Sequence, residues 1–349
     1  MPVGDQDKGG HDQGGMIPIV GGAIVPRLDL GMVLVVDPSR FDPAALDVGL
    51  AAAEPAVPPP PPAFDRSAVT WRTDLRLPNA VIHLQSRIAG GDLGLAPRLA
   101  GLAAPPHAAE AAGHRLDLAE TEDGYGLWRD GVLLRQVADR QDLIGAVYGA
   151  VLELTAAPRR LALQMHAAAV VVGGLPLVLA APSGGGKTTL TVGLAKAGAV
   201  VLSDDTVGLM EEDLSLVGLA AAMRVRDSGW PVVAPLLGPM GMEAAPDSAG
   251  IRHISPGLAG EVRGFSPPAA AVLLLDYRSG AACRWEPVTA AEGLALLVQA
   301  GAALPRDPAS TAPAALARWC GRTRFLRLTY GSLHDGVRGV FTLRSALVS

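Results

Sequence analysis

An α/β nucleotide-binding fold built on a mixed sheet is the class this sequence predicts, with an α+β arrangement in its N-terminal part. Three observations predict it. A glycine-rich loop stands between an apolar strand and a helix, a Gly-Gly turn folds the preceding apolar run back as a hairpin, and a pair of aspartates ends the next strand. The loop is Ala181-Pro182-Ser183-Gly184-Gly185-Gly186-Lys187-Thr188-Thr189, between the apolar run 175–180 and a helix over 188–196. It has the pattern of a Walker A P-loop, with Ala181 in place of the first glycine. Glycines let backbone N–H groups curl around phosphate oxygens, and a helix N-terminus turns free N–H groups and a positive dipole end toward the anion. Lys187 can then reach the terminal phosphates and the Thr188 hydroxyl can ligate Mg²⁺, with Ser183 to Thr189 forming the cradle. A ligand-free glycine turn would not need strand, loop, lysine, threonine and helix to fall in this order. Lysine usage sharpens the reading, because the chain has only Lys8, Lys187 and Lys196 and otherwise uses arginine for positive charge.

At 349 residues the chain is long enough for two cores. The expected division is a disordered start over 1–15, a strand-rich domain over 16–158 with a proline connector at 58–62, and a P-loop domain over 159–349. The net charge of −5 and the lack of any Lys/Arg block argue against a nucleic-acid partner. Cys283 and Cys320 have no metal-type spacing and read as core residues. The apolar run 16–36 contains Pro18, Pro26, Arg27 and Asp29, which argues against a membrane span, and a cytoplasmic location is expected.

In chain order, short strands are expected over 17–25 and 31–36, and a helix over 44–53. Strands follow over 69–74 and 80–85, then a meander over 114–120, 125–129 and 132–137 with Asp130-Gly131 as a tight turn. A helix opens at Asp142 and runs to Leu154, burying Leu143, Ile144, Val147 and Val151. The apolar stretch 161–172 reads as one strand, turned by Gly173-Gly174 into 175–180, so the P-loop strand gains an antiparallel neighbour. After the P-loop helix comes a strand over 199–202. It ends at Ser203-Asp204-Asp205, seventeen and eighteen residues beyond Lys187 for the two acids. The aspartates are expected to face the phosphates from the strand adjoining the loop. Two adjacent acids allow one to serve Mg²⁺ and the other a nucleophile. Beyond Leu209 the signal weakens. Residues 224–231 read as a loop opening, and 239–264 as a lid or substrate loop. A buried strand over 269–277, a helix over 289–300 capped by Thr289, a helix over 313–319, a strand over 324–328 and a mixed segment over 332–343 complete the chain. One of Arg224, Arg226, Arg252 or Arg263 is expected to add positive charge at the phosphates.

Taken together, His166-Ala-Ala-Ala-Val-Val-Val-Gly-Gly, Ala181-Pro-Ser-Gly-Gly-Gly-Lys-Thr and Leu202-Ser-Asp204-Asp205 resemble the catalytic core of HPr kinase/phosphorylase. The resemblance implies a P-loop kinase core like that of phosphoenolpyruvate carboxykinase, with a hairpin leading into the loop. It implies ATP and Mg²⁺ as cofactors and transfer of phosphate to a serine hydroxyl. Lys187 would hold the transferred phosphate, Thr188 and Asp204 the magnesium, and Asp205 would be the base, assisted by Asp204 and His166. It further implies a peptide or protein substrate and, as often in that family, a homo-oligomer. Thr188-Thr189 stands where family members have Ser-Glu. The family's Glu-Ile-Arg-Gly stretch is missing from its expected place, and Glu261-Val-Arg263-Gly lies much later. The strand-rich N-terminal part followed by a helix and Leu163-Gln-Met-His166-Ala is similar to the branch of kinases encoded with peptide-modification systems, such as those acting on lasso-peptide precursors. Two other readings stand beside a kinase. One is a nucleotide-gated binding or scaffold protein. The other is a different P-loop ATPase, which would require a parallel neighbour in place of the hairpin.

Overall fold

The computed structural model describes residues 68–77, 80–103, 113–239, 245–247, 249–304 and 311–348. The expected disordered start, the first two strands, the helix over 44–53 and the proline connector lie outside the described residues.

The first sheet holds β1 (Trp71–Arg76), β2 (Val81–Ser86), β3 (His114–Thr121), β4 (Gly124–Arg129) and β5 (Val132–Val137), in that spatial order. Its meander is antiparallel as the alternation predicts, but β2 and β3 run parallel. A short helix, α1 (Leu95–Leu99), lies in the connection between them. Helix α2 (Arg140–Ala156) covers the sheet. Its N-cap is Asp139, whose side chain accepts from the Asp142 N–H at 2.8 Å, so the helix starts earlier than the expected Asp142. It is apolar around most of its girth. One side packs on Leu84, Leu118 and Leu127 of the first sheet, and the other on Met210 and Val217 beyond it.

The expected single strand over 161–172 is two. β6 (Leu161–Met165) and β7 (Ala168–Val172) are separated at His166-Ala167 and belong to different sheets. Both are buried on both faces, so a run interrupted only by Gln164 and His166 carries no period to reveal the jump between sheets. β7 pairs antiparallel with β8 (Leu175–Ala180), the expected hairpin. The glycine loop leads into α3 (Lys187–Lys196), and β9 (Val200–Ser203) follows. Next come β10 (Val207–Met210) and β11 (Ser215–Gly218), a hairpin that pattern reading missed because all eight residues are buried. β12 (Met223–Arg226) and α4 (Trp230–Leu237) replace the expected loop opening; Pro231 sits in the first turn of α4, where its missing N–H costs nothing. β13 (Ile251–Ile254) and the one-turn α5 (Pro256–Ala259) lie within the expected lid over 239–264. β13 is tied to β12 along its full length, so this part is a ribbon rather than a free loop. The chain closes with β14 (Phe265–Pro268), β15 (Ala271–Tyr277), β16 (Arg284–Pro287), α6 (Ala290–Gln299), α7 (Ala312–Arg322), β17 (Arg324–Tyr330) and α8 (Leu333–Val348).

The central sheet has the order β16-β17-β15-β8-β7-β9, and a second sheet the order β14-β11-β10-β6. β8 runs parallel to β15 and antiparallel to β7, and β7 runs antiparallel to β9. Thus β8, β9, β15 and β17 all point the same way. One face packs under α3 and α8 through Leu190, Leu194, Val340 and Leu343. The other packs on α6, α7 and the second sheet through Leu297, Trp319, Leu163 and Leu209. On its outer side α3 contributes Val192 and Ala195 to a small core with Met223, Val225, Val233 and Ile254, which seats the β12–β13 ribbon beside the glycine loop. The fold is a mixed α/β arrangement in which the first and central sheets are mixed and the second is antiparallel.

Candidate functional site

β8 ends at Ala180 and the chain turns at once through Ala181 to Gly186 into α3. Gly186 is the helix N-cap at φ 86°, in the left-handed region. A Cβ there would also lie 2.8 Å from the Tyr330 hydroxyl, so the position is closed to larger residues. A Cβ on Gly185 would meet the Ala181 Cβ at 2.7 Å, so the loop folds tightly over the residue standing for its first glycine. No side chain caps the N-terminus of α3, and its first turn holds no acid. Its N–H groups therefore face outward with the positive dipole end, an anion-binding arrangement. Gly184, at φ 83°, continues the curl. Thr189, on the same first turn, points toward Gly229 at the start of α4 instead of into the loop.

Lys187 is buried, and its Nζ donates to the Ala181 carbonyl at 2.8 Å, which stretches the side chain back along the loop. Burial lowers its pKa, while Asp205 and Asp204 pull it upward and Arg226 adds to the lowering. Among the four candidate arginines, Arg226 reaches the loop: its Nη2 donates to Ser183 Oγ at 2.7 Å. β12 carries it there, which is why reading 224–231 as a loop gave no way to choose it. Arg252 instead pairs with Asp227 and covers the Trp230 ring at 4.7 Å. Arg263 pairs with Glu261 in the open, at 2.7 Å. The segment carrying that pair runs beside β9, with Val262 bridged to Val201 in parallel.

The acids arrive from β9. This strand does not adjoin β8, as the sequence had suggested; β7 lies between them. Because β7 opposes both, the C-terminal ends of β8 and β9 still meet at one edge of the sheet. The Thr188 hydroxyl donates to Asp204 Oδ2 at 2.8 Å. Asp204 Oδ1 is buried with no hydrogen-bond partner. Burial pushes the Asp204 carboxyl up to about 6, opposed by the Thr188 hydrogen bond and reinforced by the negative charge of Asp205. Asp205 is the more open acid, with 26% of its side chain exposed, and its Oδ1 lies 3.2 Å from His166 Nδ1. His166 sits in the break between β6 and β7; burial holds its pKa below the ordinary imidazole value, while Asp205 acts the other way. The structure thus brings Ser183 to Thr188, Asp204, Asp205 and His166 to one edge of the central sheet.

Ser203 fixes the acidic turn. It is buried, its Oγ donates to the Leu219 carbonyl at 2.9 Å, and it accepts from the N–H groups of Thr206 and Asp205 at 3.1 and 3.3 Å. Ser203→Ala strands one carbonyl and two N–H groups in a buried turn. It is expected to cost about 1–3 kcal/mol in urea unfolding, and an unchanged midpoint would show that the turn is held by its neighbours alone.

A cavity of about 230 Å³ opens beside this edge, walled by Arg98, Tyr148, Gln164, His166, Asp205 and Arg224 among others. Arg98 lies on α1 in a stretch of Ala, Leu and Pro with no readable period, and nothing in the sequence singles it out.

Neither a family model nor a curated protein matches this sequence. Among solved structures, that of the Hpr(Ser) kinase/phosphatase from Coxiella burnetii is matched over 53% of this chain and 97% of its own, at 12% identity and a TM-score of 0.27.

Proposed function

We propose that the chain is an ATP- and Mg²⁺-dependent kinase that transfers the γ-phosphoryl group to the serine hydroxyl of a peptide or protein. The observation that carries this reading is the pairing of two acids with two different partners. Asp204 is bonded to Thr188 on the glycine loop, and Asp205 stands beside His166 at the mouth of a cavity. One acid is arranged for a cation and its neighbour for a proton.

The residues fit magnesium. Mg²⁺ takes hard oxygen ligands and is held by one or two carboxylates with substrate phosphates and water completing the shell. Thr188 and Asp204 offer a hydroxyl and a carboxylate in contact, and the buried Asp204 Oδ1 lacks any partner. Among the described residues no group of three or more His, Cys, Asp or Glu could hold a metal by itself, so phosphate oxygens would have to supply the rest. When bound, the ion neutralises phosphate charge. Lys187, Arg226 and the free N–H groups of α3 hold the phosphates from the loop side. Asp205 takes the proton from the acceptor hydroxyl; the new O–P bond forms as the bond from the γ-phosphorus to the bridging oxygen breaks, and ADP leaves with that electron pair. His166 acts through Asp205, as a positioning residue. The net charge of −5 favours a peptide or protein over a nucleic acid as partner.

The test is incubation of the full chain with Mg-ATP and a panel of seryl peptides, read by phosphopeptide mass and ADP release. Phosphoserine should form and should vanish with chelator. Asp204→Asn should raise the Mg²⁺ needed for half-maximal rate by on the order of 10–100-fold. Mg-ATP binding with no phosphorylated product across the panel would overturn the kinase reading in favour of a nucleotide-gated binding protein.

A further inference from the structure

The cavity next to Asp205 holds two arginines that the reaction as derived does not use. Arg98 comes from α1 and Arg224 from β12, two elements far apart in the sequence. They repel each other, and burial together with Arg224 lowers the Arg98 pKa. The Nε atom of each is buried and makes no hydrogen bond. Neither guanidinium has an ion pair among the described residues. The acids near enough to act on Arg98 are Asp205, already facing His166, and Asp247, which accepts from the Ile251 and Ala249 N–H groups and lies 3.2 Å from His253 Nε2. Across the β12–β13 ladder from Arg224, His253 leaves a buried Nδ1 without a partner as well. Folding two like charges into one wall and leaving their buried Nε donors unbonded is costly unless something anionic completes the set. Arginine's planar fork matches the two oxygens of a carboxylate or phosphate.

The size and position of the cavity narrow the ligand. A volume of about 230 Å³ holds a handful of heavy atoms, not a folded surface. Tyr148 and Gln164 add neutral polar groups to its wall, and Asp205 stands at its edge. We propose that this cavity binds an anionic group, carboxylate or phosphate, carried by the acceptor within a few bonds of its reacting hydroxyl. Arg98 and Arg224 are thus specificity residues that aim the hydroxyl at Asp205. The proposal rests on the kinase reading for the identity of the acceptor, while the anion site itself stands on the arginines.

The experiment has two arms. In the first, wild type, Arg98→Gln and Arg224→Gln are assayed with four seryl peptides: one neutral and amidated, one with an aspartate beside the serine, one with a phosphoserine there, and one ending in a free carboxylate. At least one anionic peptide should exceed the neutral one in kcat/KM by about tenfold or more. Both variants should erase that preference through KM, with Mg-ATP affinity unchanged, and the favoured peptide identifies the source of the anion. Equal rates on all four peptides, or a preference that survives both substitutions, would overturn the proposal. The second arm needs no transfer. In a Lys187→Met background, which weakens the hold of the glycine loop on phosphate, calorimetric titration with inorganic phosphate and with malonate should show a site lost on adding Arg98→Gln or Arg224→Gln. If neither probe binds, the anion pocket is wrong even where serine is phosphorylated. If a probe binds and no peptide is phosphorylated, the kinase reading fails and the anion pocket stands.

Discussion

Asp205→Asn is expected to lower phosphoryl transfer by on the order of 10²–10⁴-fold, the usual worth of a positioned base, with Mg-ATP affinity nearly unchanged. The amide keeps the size of the carboxylate and can still face His166, 3.2 Å away in the native pair, but it cannot take a proton. Its neighbour is poorly placed to substitute. Asp204 is 4% exposed and its Oδ2 is held by the Thr188 hydroxyl, whereas 26% of the Asp205 side chain meets solvent at the cavity. The loss should therefore appear in kcat, measured by phosphopeptide formation under saturating nucleotide. Transfer by Asp205→Asn at the native rate would remove Asp205 from the role of base and leave the exposed acid without a function. A smaller drop is expected for His166→Gln, because His166 acts on the hydroxyl only through the carboxylate it orients.

Much of the central sheet is legible from sequence because its signals are local. Gly173-Gly174 between two apolar runs specifies the β7–β8 hairpin, Thr289 caps α6 by accepting from the Glu292 N–H at 3.2 Å, and the strand over 271–277 announces itself by composition. What sequence reading loses is non-local. The break at His166 moves the chain from one sheet to another without any change in hydrophobic character, since β6 and β7 are both buried. β12 is too short for a period and carries arginines at alternate positions, so it reads as a loop; only its pairing with β13 makes it a strand. That one misreading leaves Arg226 at the glycine loop and Arg224 in the cavity undistinguished among the four candidate arginines. Spacing and motif name the glycine loop, the two acids and the β7 hairpin, but not the place of β7 between β8 and β9. Sequence separation says which residues follow the loop and not which strand inserts beside it.

Lys187→Met should reduce transfer by on the order of 10²–10³-fold, comparable to removing one donor to a transition-state oxyanion, and should weaken Mg-ATP binding as well. The second effect distinguishes it from Asp205→Asn, because in the proposed reaction Lys187 holds phosphate in the ground state and in the transition state alike. Stability gives little warning of this loss. Methionine fills the same buried channel and removes the desolvation that lowers the lysine pKa, but it strands the Ala181 carbonyl and takes a counter-charge from Asp204 and Asp205. These terms oppose, so the unfolding free energy should move by no more than about 1–2 kcal/mol. Arg226 does not replace it, since its Nη2 is already bonded to Ser183 Oγ, 2.7 Å away. Nucleotide affinity is read by titration with a fluorescent ATP analogue and transfer by the phosphopeptide assay. A folded Lys187→Met protein with native nucleotide affinity would mean that the glycine loop is a structural turn, and the proposed chemistry would have no phosphate donor site.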